Sequence, residues 1–403
     1  MSANDYVPEA GVRPTRIEFV RETTRGEVPD SPEWNLYSDH VDAWWDWEPD
    51  ANKTENQPAG EVDPDLTKPG SETHEATISY WLQNWLVDGS GNAQDAAADA
   101  MLISSDNTPN NTHSVVSRMD IESGGADNNG YRVYHVGKGG VPTEVTLPFE
   151  VDEGSPVAPE LSYQFEKFRT YRIDQPDTSD TIDVTNNGSS SVDVTIEDEG
   201  AGTSETLTVA AGATSTTTAS FDDIDAVELS TDVDGDVVLE DTTDTNELMR
   251  IEGSQAYTTE GDLGVPALGS GSHASAIGSD YVIFNDDTYD YDTGEIAAEI
   301  ISGELNSSIE VDDNEVVGTS RRNINVTGRR VEWTATVAGE STSVDQVVDY
   351  LTAQEYTIQW TADEGDVSST VEHMSPGSSD FEAGSGKNER ELTFMSKDGV
   401  TIS

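Results

Sequence analysis

The order of apolar and polar positions along the chain is mostly that of strands, a two-residue alternation broken by clusters of Gly, Pro, Asn, Asp and Ser. Residues 14 to 22, Pro-Thr-Arg-Ile-Glu-Phe-Val-Arg-Glu, alternate in this way, and Gly26 to Trp34 form a Pro-rich loop. A second strand surrounds Trp44, Trp45 and Trp47. From Glu48 to Glu72 the chain is polar and rich in Pro, Gly, Asn and Asp, which predicts a long mobile loop. Order resumes at Glu75 with Ala-Thr-Ile-Ser-Tyr-Trp-Leu-Gln-Asn-Trp-Leu-Val. A short helix from Ala93 to Leu102 follows, then strands at 114–119, 131–136, 143–150 and 161–168.

Residues 178 to 241 change character: no Trp or Tyr, one Phe, and much Thr, Ser, Val and Asp. Short alternating runs at 181–185, 191–196, 205–209, 214–219, 226–229 and 237–239 predict the strands of a small β-sandwich. Aromatic-rich sequence returns at Tyr257, Tyr281, Phe284 and Tyr289, so the sandwich reads as an insertion. A Gly and Ser-rich stretch at 261–280 opens the closing section, which alternates at 281–284, 295–301, 307–311 and 321–337. Ser343 caps one amphipathic helix over 343–353, with Val344, Val347, Val348 and Leu351 on one face. Strands at 355–361, 367–373 and 389–396 complete the pattern, with a Gly and Ser-rich loop at 376–386. The expected fold is mainly β with one packed helix, divided into 1–172, an inserted 173–242, and 243–403.

Charge adds an environment. The formal net charge is -60, from 80 acidic and 20 basic side chains, and only Lys53, Lys68, Lys138, Lys167, Lys387 and Lys397 are lysines. At physiological salt, where screening reaches over about 8 Å, so acidic a body strains against itself; at 1 M the range falls to about 3 Å. A halophilic system fits this balance. Disorder does not fit, because 13 Tyr, 8 Trp and 8 Phe are spread through alternating runs. With no basic patch to release counterions, independent binding of nucleic acid, anionic lipid or polyphosphate is not expected. Without cysteine there is neither disulfide nor thiolate site. The N-terminus lacks the form of a signal peptide, and no run of about 18 apolar residues predicts a membrane span.

Candidate chemistry is sparse. Carboxylate pairs are everywhere in so acidic a chain and single out nothing. The six histidines, at 40, 74, 113, 135, 273 and 373, lack metal-ligand spacing, and Gly-x-Ser-x-Gly is missing, so no enzyme is expected. Gly137-Lys138-Gly139-Gly140 lacks the leading Gly and trailing Ser or Thr of a phosphate loop and reads as a hairpin turn. Asp232, Asp234 and Asp236 form the one candidate calcium loop, but no Glu closes it and strand-like runs flank it, so a hairpin turn is favoured there too. No cofactor follows, with a structural calcium or magnesium ion as the open alternative. Trp44, Trp45 and Trp47 suit a sugar platform less well than a core or a subunit interface.

Ile17-Glu-Phe-Val-Arg-Glu-Thr-Thr-Arg-Gly-Glu-Val-Pro-Asp-Ser-Pro-Glu-Trp34 resembles the start of the major tail (tail tube) proteins of long-tailed viruses. Ile78 to Asp95 looks like that family's next strand-and-helix segment, and Arg390-Glu-Leu-Thr-Phe-Met-Ser-Lys-Asp-Gly-Val like its closing strand. The resemblance covers about 1–172 and 243–403; the extreme acidity and long loops depart from it. It implies a tube-type β-sandwich or barrel, six copies to a ring, and rings stacked into a conduit through which DNA passes without sequence-specific binding. It further implies tape-measure, tail-terminator and baseplate proteins as partners, a place in the virion after synthesis in the host cytoplasm, and an immunoglobulin-like role for the insert. Phe19, Trp34, Trp44, Trp45 and Trp47 are the expected subunit-interface residues. The competing readings are a halophilic surface-layer protein and a baseplate or receptor-binding virion protein.

Overall fold

The computed structural model describes residues 16–29, 32, 34–36, 41–56, 66–82, 96–97, 99–100, 112–121, 130–150, 157–176, 179–198, 200–231, 233–253, 264–266, 268, 289–291, 299–315, 322–338, 356–361, 368–380, 389–396 and 400–402. Strand dominates, and helical conformation among these residues is confined to 96, 97, 99 and 100, inside the predicted 93–102 segment. The predicted helix at 343–353 and strand at 281–284 lie outside the described residues.

The first strands are β1 (Arg16–Arg21), β2 (Asn35–Leu36), β3 (Val41–Asn56), β4 (Leu66–Tyr80), β5 (His113–Ile121), β6 (Tyr131–Glu150), β7 (Glu160–Phe165) and β8 (Lys167–Asp174). β6 is the spine of this group. Up to Gly140 it pairs antiparallel with β5, and up to Lys138 with β8 on its other border. Over Val141–Thr146 it pairs with β7. The Gly137–Gly140 segment is therefore the middle of a continuous strand and no hairpin turn. Glycines in a strand interior also serve where a chain must bend or another group must come close. A Cβ on Gly137 would sit 2.6 Å from the Phe165 ring and one on Gly140 2.5 Å from it. Gly139, at φ 65°, lies against Glu166, the residue where β7 gives way to β8.

The long loop expected at Glu48–Glu72 is also corrected: β3 and β4 form an antiparallel ladder from Val41↔Tyr80 to Asn56↔Leu66, broken by three register shifts. Backbone pairing needs no apolar side chain. Among the described residues β3 pairs only with β4, and β4 pairs with β7 only over His74–Ser79, so Pro49 and Pro69 stand where an outer border tolerates a missing N–H.

Eight strands follow: β9 (Ile182–Asn186), β10 (Val192–Asp198), β11 (Thr203–Val209), β12 (Thr214–Thr216), β13 (Ala226–Leu229), β14 (Val237–Asp241), β15 (Glu247–Ile251) and β16 (Gly264–Val265). They form two antiparallel sheets of four, ordered β11-β10-β13-β16 and β12-β9-β14-β15. β9 and β10 alternate buried with half-buried positions, with Ile182, Val184, Val192, Val194 and Ile196 inward. β15 and β16, beyond residue 242, complete the two sheets. The 230–236 segment is not a hairpin turn: β13 and β14 belong to different sheets, and the chain crosses between them there.

The last strands are β17 (Tyr289–Tyr291), β18 (Glu299–Glu315), β19 (Arg322–Ala338), β20 (Tyr356–Thr361), β21 (Ser368–Asp380), β22 (Glu389–Ser396) and β23 (Val400–Ile402). The runs at 295–301 and 307–311 merge in β18, and β21 continues to Asp380 through part of the expected 376–386 loop, because ladders to β19 and to β22 carry them on. β18 pairs with β6 over Ser302–Ser308, joining both ends of the chain in a single sheet of 15 strands. Its main order is β17-β20-β21-β22-β19-β18-β6-β5-β1-β2, and among the described residues this path does not close.

Candidate functional site

Of the expected interface residues, Phe19 lies in β1 between β2 and β5 and is 1% exposed, its ring 5.2 Å from that of His113. Trp34 is 6% exposed and belongs to the main hydrophobic core. Both rings are buried within one chain. Trp44, Trp45 and Trp47 are carried by β3, whose backbone is described and whose side chains lie outside the described residues. Asp232 is outside them as well. Asp234 accepts hydrogen bonds from the Ser189 N–H (2.6 Å) and hydroxyl, which hold its carboxyl below the ordinary range, and Asp236 pairs with Arg250 at 3.0 Å. Among the described residues no three acidic or histidine side chains are grouped to hold a metal ion.

Two polar clusters that local sequence does not announce are brought together by the fold. The first fills the crossing of β1, β5 and β6. Glu22, 1% exposed, accepts from the Gly26 N–H (2.6 Å), the Ser114 hydroxyl (2.6 Å), the Gly139 N–H (2.8 Å) and the Thr112 hydroxyl. Beside it the helical residues Ala96, Ala97 and Ala100 are fully buried, and the Ala97 N–H donates to the Tyr80 hydroxyl at 3.0 Å. That packing aims Asp99 at Arg21 and at His113 Nε2 (2.6 Å), while His113 Nδ1 meets the Tyr163 hydroxyl at 2.9 Å. Burial pushes the Asp99 carboxyl up, but His113 and Arg21 outweigh it and hold it below the ordinary value of 3.8. Arg25 pairs with the buried Glu166 at 2.8 Å, tying the loop after β1 to the bend between β7 and β8. An Asp-His-Tyr chain resembles catalytic machinery, yet its members are at most 1% exposed. Its chemistry is that of a fastening.

The second cluster joins the eight-stranded unit to the large sheet. Arg118 and Arg132, on neighbouring β5 and β6, share Asp120 at 2.9 and 3.0 Å. Arg132 reaches on to Asp223 (2.6 Å), Asp225 (2.8 Å) and the Ile224 carbonyl (3.0 Å), and Arg118 to Asp225 (3.1 Å). Gln175 brackets Ile224, accepting its N–H at 2.8 Å and donating to its carbonyl at 3.3 Å. Tyr134 is the ladder partner of Arg118; burial drives its hydroxyl above the ordinary value despite the two guanidinium charges. The apolar contact is continuous too: Val116, Tyr134, Val136, Tyr171 and Ile173 of the sheet share one core with Ile182, Val194, Phe221, Leu239 and Ile251. The available sequence signal was scarcity. In a chain with so few cations, an arginine inside an alternating strand marks a place where carboxylates must converge.

No protein-family model matches the chain, and no curated protein matches it. No helix among the described residues is long and apolar enough to cross a membrane.

Proposed function

We propose that this chain is a structural virion subunit of a viral tail tube in a halophilic system, assembling into hexameric rings that stack into a conduit for DNA. The observation that carries the reading is the open sheet: 15 strands in one sheet whose described path ends at β2 and β17. Open sheet borders invite pairing with another chain, and closure of a ring of identical copies satisfies them. The tail-tube resemblance at Ile17–Trp34, Ile78–Asp95 and Arg390–Val400 supplies the kind of ring. Within this proposal Trp44, Trp45 and Trp47 remain the interface candidates, and the eight-stranded unit is an immunoglobulin-like projection. The acidic surface repels DNA, which a conduit requires.

A ring of six carries six times a formal charge of -60, and only concentrated salt screens it at short range. Negative-stain microscopy of the purified chain in molar salt is expected to show rings or tubes that fall apart on dilution into low salt. Monodisperse single copies in both conditions would overturn the proposal, and tubes that persist in dilute salt without divalent ions would overturn its electrostatic part. Flat arrays instead of rings would favour a surface-layer protein.

A further inference from the structure

Asn187 and Gly188 follow β9 at the end of the sandwich where the chain crosses to β10 in the other sheet. An asparagine before a glycine is open to spontaneous loss of its side-chain amide, because glycine has no side chain to hinder attack by its own backbone nitrogen. The Gly188 nitrogen would give up its proton and bond to Cγ of Asn187, while the Cγ–Nδ2 bond breaks and ammonia leaves. Water then opens the five-membered imide at either of its C–N bonds. The product is aspartate or isoaspartate, and in isoaspartate the backbone runs through the former side chain. Asn187 is exposed, so solvent reaches the group under attack. The nucleophile is what the fold withholds.

Three successive backbone amides are engaged here. The Asn187 N–H donates to the Asp236 carbonyl at 2.9 Å, the Gly188 N–H to Asn186 Oδ1 at 2.8 Å, and the Ser189 N–H to Asp234 at 2.6 Å. Asn186 is itself a fixed acceptor: it is fully buried, and its Nδ2 donates to the carbonyls of Ser190 (2.8 Å) and Val209 (3.1 Å). The crossing from β13 to β14 lies directly against this one. A Cβ on Gly235 would stand 2.5 Å from the Asn187 carbonyl oxygen and 2.8 Å from the Gly188 nitrogen, and one on Gly253 2.6 Å from the Gly235 nitrogen. Ring closure requires the Gly188 nitrogen to leave Asn186 and the peptide plane before it to turn. Chains this close do not allow that turn unless the two crossings part.

We infer that Asn187 is a modification site which the fold keeps closed, with Asn186 as its guard, and that it converts to aspartate and isoaspartate only when this end of the sandwich opens. Local openings of this kind occur without global unfolding. Isoaspartate adds a backbone atom where only glycine lets the two crossings pass, so a converted end cannot close as before. Conversion therefore leaves a permanent mark on copies that have opened.

The test incubates the full chain at one mildly alkaline pH, folded in molar salt and unfolded in guanidinium, and follows Asn187 by peptide-mapping mass spectrometry with chromatographic separation of isoaspartate. The folded chain is expected to convert at least about tenfold more slowly than the unfolded one, as chemistry confined to an opened state requires. Gly188→Ala is expected to slow conversion in the unfolded chain, which identifies the attacking nitrogen. Folded N186A is expected to convert several-fold faster than the folded wild type, while the two unfolded chains convert alike. Should N186A not fold, D234A, changed at an exposed side chain, releases the Ser189 N–H and is expected to show the same acceleration. Equal rates in the folded and unfolded wild type would overturn the inference. So would an unfolded chain that does not convert at Asn187, or a folded guard variant as slow as the wild type.

Discussion

Glu22 and His135 show how far a residue's part in this fold is set by distant sequence. Glu22 takes four donors, three of them from residues 112, 114 and 139, so nothing around position 22 distinguishes it from the other acidic positions. Glu22→Ala would leave those donors facing no acceptor; the expected loss is about 3–5 kcal/mol in denaturant unfolding, given about 1–3 kcal/mol for each buried group left unpaired. His135 is 6% exposed, bonded to Thr170 at 2.9 Å and stacked on Phe168, and burial lowers its pKa to about 4. The imidazole is thus kept neutral in the fold while the unfolded chain takes up a proton below the ordinary 6.5. Its contribution is complete above 6.5 and is lost as pH falls from there to about 4. His135→Gln is expected to flatten the acid side of the stability profile in that window; an unchanged slope between 6.5 and 4 would count against this environment. Burial of alternate residues, as at Val184 and Val194, was legible from the two-residue period. The partners of a buried carboxylate were not, because they depend on which strands cross.

Strand existence was easier to read than strand length. The runs around 14–22, 114–119 and 389–396 reappear as β1, β5 and β22 within a few residues. Readings failed where glycine, proline or polar residues were taken as the end of an element. β6 passes through Gly137–Gly140, and β3 and β4 pair across a polar stretch, because ladder hydrogen bonds use the backbone and bulges absorb misfits. A substitution separates the two interpretations of the glycines. Were they a free turn, Gly140→Ala would matter little; against Phe165 at 2.5 Å and the His113 carbonyl at 2.9 Å it is expected to cost about 1–3 kcal/mol through overpacking. Thermal unfolding of the single variant checks it. The sandwich strands were visible as six short runs, but the crossing from β13 to β14 was not, since spacing alone does not say which sheet a strand joins.

At the scale of the molecule, the eight-stranded unit and the large sheet share a core as well as the Arg118 and Arg132 network. A composition change was enough to see the unit but said nothing of how firmly it is mounted. Arg132→Ala removes the main polar tie and leaves Asp223 and Asp225 close together; a loss of about 2 kcal/mol is expected from charge-assisted bonds of this partly buried kind. Because the apolar contact remains, unfolding should stay a single transition by calorimetry, and two separate transitions would show that the units are independent.

The bond between β6 and β18 has a further consequence, one that concerns time. β6 ends at Glu150 and its partner segment in β18 begins at Ser302. At ribosomal speeds of about 5–20 residues per second, the border of β6 waits roughly eight to thirty seconds for the strand that will cover it. The sandwich residues emerge during this interval, so the half-made sheet spends its most adhesive period beside a neighbour that can already fold. A cell making this chain in quantity must keep nascent copies apart until the second half arrives.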